Sequence, residues 1–129
     1  MASSIIDRGD GTGRRTLRVT LESDSSGVVS FTTTTIVNGK VYSWKVIPYL
    51  DSYQPTTGFA VTIKDGDNLS VVRSPTALNS IANTGPIEAT VLDANGLTGP
   101  YVISEQRITF AGSGLGNGKK VIVELNVLE

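Results

Sequence analysis

Within VTIKDGDNLSVV, residues 61–72, the run Asp65-Gly66-Asp67-Asn68 sets three oxygen-bearing side chains in four positions. Such a knot can hold calcium, pair two carboxylates for proton transfer, or turn the chain. An EF-hand loop needs oxygen ligands at its first, third and fifth positions, glycine at the sixth and glutamate at the twelfth. Counted from Asp65, those last three positions hold Leu69, Ser70 and Thr76, so the pattern fails. A weak calcium site at Asp65 and Asp67 stays as the alternative. The turn reading is favoured: Asp and Asn accept local backbone hydrogen bonds, Gly takes a positive φ, and apolar alternation flanks both sides. Asp93-Ala94-Asn95-Gly96 reads as a turn for the same reason.

Other chemistry is mostly excluded by what the chain lacks. It has no histidine and no cysteine, which removes a Ser-His-Asp triad, a Cys nucleophile, thiolate metal sites and disulfides. The glycine-rich AGSGLGNGKK, residues 111–120, is not a phosphate loop. Counting back from Gly118-Lys119, the required glycine is Ser113, and Lys120 stands where Ser or Thr would hold magnesium. It reads instead as a hairpin loop. Arg8-Gly9-Asp10 spells an adhesion tripeptide, but three residues match by chance often. Among 12 acidic residues some pair is inevitable, so pairing alone points to no glycosidase. Trp44 lies on an alternating segment and reads as core. The expectation is a non-enzyme with no catalytic residue, cofactor or metal.

The elements that would position these groups read as all-β. The 129 residues suit one domain, and a net charge of −1 gives no basic excess for nucleic acid or an anionic membrane. No signal-peptide core and no membrane-length apolar run is visible, so a soluble protein made in the cytoplasm is expected. Helical periodicity is weak, while Val and Ile recur in alternation. Leu17, Val19 and Leu21 share one face, as do Phe59, Val61 and Ile63, and Val121, Val123, Leu125 and Val127. Tyr42, Trp44 and Val46 are the expected inward set of their strand. Asn38-Gly39 carries the strongest hairpin-turn signal, of type I′. Residues 99–112, GPYVISEQRITFAG, read as a strand pair or one bent strand. A short helical insert is expected around Thr76 to Ile81. The sum is a single β-sandwich, Ig-like or jelly-roll-like, over residues 15–129, with a flexible N-terminal arm over residues 1–14.

The block GFAVTIKDGDNLSVV, with the preceding Gln54-Pro55-Thr56-Thr57, resembles small structural proteins of tailed-bacteriophage virions. The likeness runs over residues 15–128 as a pattern, from SSGVVSFTTTTIVNGKVYSWKVIP to RITFAG and KKVIVELNV. It departs at the turn, where such proteins often show Asp-x-x-Gly-x-Asp. The resemblance implies a virion location and a capsid decoration or cement protein. Its partners would be the major capsid protein and copies of itself, with a trimer favoured. A tail or head–tail connector protein is the alternative, and a carbohydrate-binding β-sandwich the second. Candidate contact residues are Ile5, Ile6 and Arg8 of the arm, Tyr49, Leu50 and Tyr53 of the loop between Pro48 and Pro55, and Leu115 of the glycine run. Tyrosine is enriched at interfaces. For Ile5 and Ile6, a first strand packed on its own domain is the competing reading.

Overall fold

The computed structural model describes residues 3–9, 13–72, 78–90 and 102–129. Nine strands occur among them: β1 (Ser4–Gly9), β2 (Arg14–Glu22), β3 (Val29–Thr32), β4 (Val37–Pro48), β5 (Ala60–Lys64), β6 (Ile87–Thr90), β7 (Val102–Gln106), β8 (Thr109–Ser113) and β9 (Lys120–Leu128). They form two antiparallel sheets. The larger has the order β1-β2-β9-β4-β6, with β7 also paired to β4, and the smaller is β3-β8-β5.

The core lies between them, and strand alternation puts it there. In β2 from Leu17 on, and throughout β9, every second residue is apolar, and Leu17, Val19, Leu21, Val121, Val123, Leu125 and Val127 are all fully buried. They meet Phe59, Val61 and Ile63 of the β5 segment and Phe110 of β8 within one apolar cluster. Each such side chain contributes roughly 1.5–3 kcal/mol when taken out of water.

Several expectations need correction. Residues 4–9 are not a free arm: β1 pairs with β2 along its length, from Ser4 opposite Thr20 to Gly9 opposite Arg15. The reason is visible in Ile5, which sits opposite Val19 and packs against the core cluster. There is no α-helix among the described residues. Of the expected helical insert, Thr76 and Ala77 lie outside those residues, and Ile81 forms an antiparallel bridge with Phe59. The turn expected at Asp93-Ala94-Asn95-Gly96 also lies outside them.

Asn38-Gly39 is not a hairpin turn but part of β4, with Gly39 opposite Ile103 of β7. Tyr42 is not inward. A register shift between Val41 and Ser43 adds a residue to the strand, so Val41, Trp44 and Val46 are buried and Tyr42 is only half-buried. Residues 102–113 are two strands in different sheets. The glycine run likewise crosses from β8 in the smaller sheet to β9 in the larger, so it is no hairpin loop.

Candidate binding surfaces

The polar half of each alternation faces outward on the larger sheet, and the strand register sorts it into rows. One row runs Arg8, Thr16, Asn126, Ser43 across β1, β2, β9 and β4. The Thr16 hydroxyl donates to Asn126 Oδ1 at 2.8 Å, and Asn126 Nδ2 donates to Ser43 Oγ at 2.8 Å. The next row runs Ile6, Arg18, Glu124, Lys45, Glu88. Its charges alternate in sign, with Arg18–Glu124 and Lys45–Glu88 each at 3.5 Å. Opposite charges facing each other across strands favour this register over a slipped one.

Beside these rows the surface dips. A depression of about 470 Å³ is lined by Arg8, Gly9, Arg14, Thr16, Tyr42 and Glu124. It adjoins a second, of about 250 Å³, that shares Arg8, Thr16 and Glu124 and adds Ile6 and Arg18. The bulge in β4 is what brings Tyr42 to this wall. The outer face of the smaller sheet differs: Ser30, Ala60, Thr62, Ala111 and Ser113 border a shallow hollow there, with no charged side chain.

Arg15 lies on the other side of β2, at the open end of the sandwich. Its Nε and Nη2 grip both Asp7 carboxylate oxygens, at 2.8 and 2.6 Å. Its remaining donors reach the Ile36 carbonyl and the Thr35 hydroxyl, both at 3.0 Å. One guanidinium thus ties β1 to the segment entering β4. The hydrogen bonds from Arg15 hold the Asp7 carboxyl below its ordinary range, against partial burial that raises it. The same bonds raise the Arg15 pKa.

At the far end, the Tyr49 and Tyr53 rings meet edge to face at 6.2 Å, and the Lys120 ammonium lies 4.3 Å from the Tyr53 centroid. Tyr53 Nα donates to Asp51 Oδ1 at 2.8 Å, which folds the loop on itself.

The acidic knot is a turn. Asp65 Oδ1 accepts from the backbone N–H of Asp67 at 2.9 Å and of Leu69 at 3.1 Å. Asn68, with φ 64°, takes the left-handed conformation, in place of the glycine expected to do so. Gln106 closes the outside, accepting from Gly66 N–H at 2.6 Å and donating to Asp67 Oδ2 at 3.0 Å. No group of three His, Cys, Asp or Glu side chains able to hold a metal occurs among the described residues.

The candidate contact residues do not form one patch. Ile6 and Arg8 are exposed on β1 beside the depression, whereas Ile5 turns toward the core. Leu50 and Tyr53 are exposed and Tyr49 half-buried at the opposite end of the sandwich. Leu115 is fully buried. Its N–H donates to the Gly27 carbonyl at 3.1 Å and its carbonyl accepts from Thr56 N–H at 2.9 Å, so it anchors the crossing between sheets. Thr16, Arg18, Ser43, Glu124 and Asn126 are the residues that sequence reasoning missed. For Thr16, Arg18, Glu124 and Asn126 the signal was present as the polar members of the β2 and β9 alternations, whereas Ser43 follows the bulge in β4.

No protein-family model matches the chain, and no curated protein matches it. Among solved structures, the CBM22-1 xylan-binding domain from Paenibacillus barcinonensis Xyn10C is similar with a TM-score of 0.38 and 13% identity, over 98% of this chain and 81% of that one. A TM-score this low carries no inference about ligand. That domain is described as xylan-binding, and the likeness lends no support to the viral, bacteriophage and capsid-decoration terms implied by the resemblance.

Proposed function

We propose that the protein is a non-enzymatic binding module that takes up a carbohydrate on the outer face of its larger sheet. The observation that carries this is the row Thr16–Asn126–Ser43. Three neutral polar side chains from three strands are held in one orientation by their own hydrogen bonds, beside a depression walled by Tyr42. Sugar hydroxyls need such pre-set donors and acceptors, and groups already fixed lose little conformational entropy on binding. Residues with reactive side chains are instead tied into structure, as Asp65 is to its turn and Asp7 to Arg15. Calcium has no part in this reading, because Asp65 Oδ1 already serves the backbone. Affinity electrophoresis through gels containing soluble polysaccharides tests it. Retardation in at least one polysaccharide, lost in Asn126→Ala, is the expected result. Unretarded migration in every gel would overturn it.

A structural component of a larger protein assembly, the role implied by the resemblance over residues 15–128, is the second reading. Exposed Ile6 and Leu50 favour it, being 48% and 63% accessible where water gains nothing from them. Quantitative mass spectrometry of purified particles, together with the oligomeric state in solution, tests that role. Many copies per particle would support it, and absence from particles would end it.

A further inference from the structure

We propose that the depression at the β1 side of this face binds the acidic group of an acidic saccharide, a carboxylate or a sulfate, with Arg8 as its main ligand. The inference rests on the carbohydrate reading above and narrows it to a ligand class.

Charge pairing along the face leads there. Arg18 is matched by Glu124, and Lys45 by Glu88. Arg15, on the opposite side of the sheet, is clamped to Asp7. Arg8 has no ion pair among the described residues, although it stands exposed in the row that begins the polar ladder. It lines both depressions, where Arg8 and Arg18 face the carboxylate of Glu124; Arg14 also borders the larger one but has a partner of its own. That carboxylate is itself engaged by Arg18. The local balance is therefore positive in a chain whose net charge is −1. A guanidinium presents a planar fork of donors that fits the two oxygens of a carboxylate or sulfate.

The neighbours of Arg8 decide between a free ion and a sugar. A bare oxyanion would need only the arginines. Here the same row continues from Arg8 into Thr16, Asn126 and Ser43, crossing three more strands at roughly 4.8 Å each. Three such steps make about 14 Å, the length of a short run of sugar rings, with the acidic substituent at the Arg8 end and hydroxyls over the neutral side chains. An acidic protein surface would find charges to pair with but no use for the neutral row.

The test uses the full chain on an array of neutral, uronic and sulfated glycans, followed by calorimetric titration of the best binders. Sodium sulfate and poly-glutamate serve as comparison ligands. The expected result is binding to acidic glycans at least tenfold tighter than to their neutral counterparts, weakening with added salt. Arg8→Ala should remove most of that preference at unchanged melting temperature, and Arg8→Lys should restore part of it. Equal binding of neutral and acidic glycans, or a preference that survives Arg8→Ala, overturns the inference and leaves the carbohydrate reading standing. Failure of every glycan overturns both. Sulfate or poly-glutamate binding as tightly as the best glycan overturns the saccharide assignment.

Discussion

Two stretches of this chain carry the same local signal and end in opposite structures. Asn38-Gly39 and Asp65-Gly66-Asp67-Asn68 both combine Asn or Asp with Gly between apolar alternations. The second turns, because Asp65 accepts two backbone N–H groups and Asn68 adopts a left-handed φ of 64°. The first stays extended inside β4, pinned between β7 on one side and the end of β9 on the other. Gly39 has φ 139°, and its missing side chain leaves room for the Leu128 backbone. Glycine there serves a close approach of two strands, whereas at the knot the polar side chains make the turn. Local turn chemistry therefore wins only where no long-range pairing competes for the same backbone groups.

The largest effect follows at Gly39. A Cβ there would collide with the Leu128 carbonyl and lie 2.9 Å from Val127 Cγ1, in a backbone conformation that side chains rarely adopt. Gly39→Ala is expected to cost about 3 kcal/mol or more, since overpacking and strain add. Urea denaturation measures it. A loss below about 1 kcal/mol, by the same scale, would mean that β9 ends away from Gly39 and that the pair is not what keeps this segment extended.

Asp65→Ala comes next. It removes the acceptor for two N–H groups in a part of the chain where Asp65 itself is only 7% accessible. The expected cost is about 1–2 kcal/mol, with Asp65→Asn recovering part of it through its amide oxygen. Added calcium should leave the melting temperature of either protein unchanged. A calcium-dependent rise in the parent protein would instead make the knot a metal site and dissolve the contrast with Asn38-Gly39.

The Arg15–Asp7 clamp is a third device, made of charge rather than turn chemistry, and it is read through pH. The folded-state pKa of Asp7 is lowered by the Arg15 hydrogen bonds. Its contribution is therefore fully present above the unfolded value of about 3.9 and is lost as pH falls through the lower folded value. Because the pair is partly solvated, that contribution is at most about 1 kcal/mol. Denaturation midpoints taken from pH 6 down to pH 2.5 should fall less steeply in Asp7→Asn than in the parent. Equal slopes would show that the clamp does not hold β1.

How much of this was legible follows from what each feature depends on. Leu17, Val19, Leu21 and Val121 to Val127 announce their buried face because strand alternation is a local property. The bulge at Val41–Ser43 is not local: it depends on which strand lies alongside, so Tyr42 was placed on the wrong face. Leu115 was misplaced for a related reason. In a run of glycines it looked like an exposed tip, yet a single large apolar side chain there is the anchor the crossing needs. The polar row was half-visible. Thr16 and Asn126 each stand at the outward position of an alternation, but they are 110 residues apart, and only the pairing of β2 with β9 makes them neighbours.

The smallest effect sharpens the opening contrast most. If the turn at the knot belongs to Asp65 and Asn68, then Gly66 is not needed for its backbone freedom, since it has no positive φ. A Cβ on Gly66 would meet only the Gln106 side chain, with Oε1 at 3.1 Å. The end of a flexible glutamine can move by the few tenths of an ångström required. Gly66→Ala should therefore shift stability by no more than about 0.5 kcal/mol in either direction, because a restricted unfolded chain offsets a loosened Gln106 contact. Asn68→Ala at the left-handed position should cost about 1 kcal/mol. Were the two costs reversed, the knot would be a glycine turn like those its sequence advertises, and Asn38-Gly39 would differ from it in context alone rather than in chemistry.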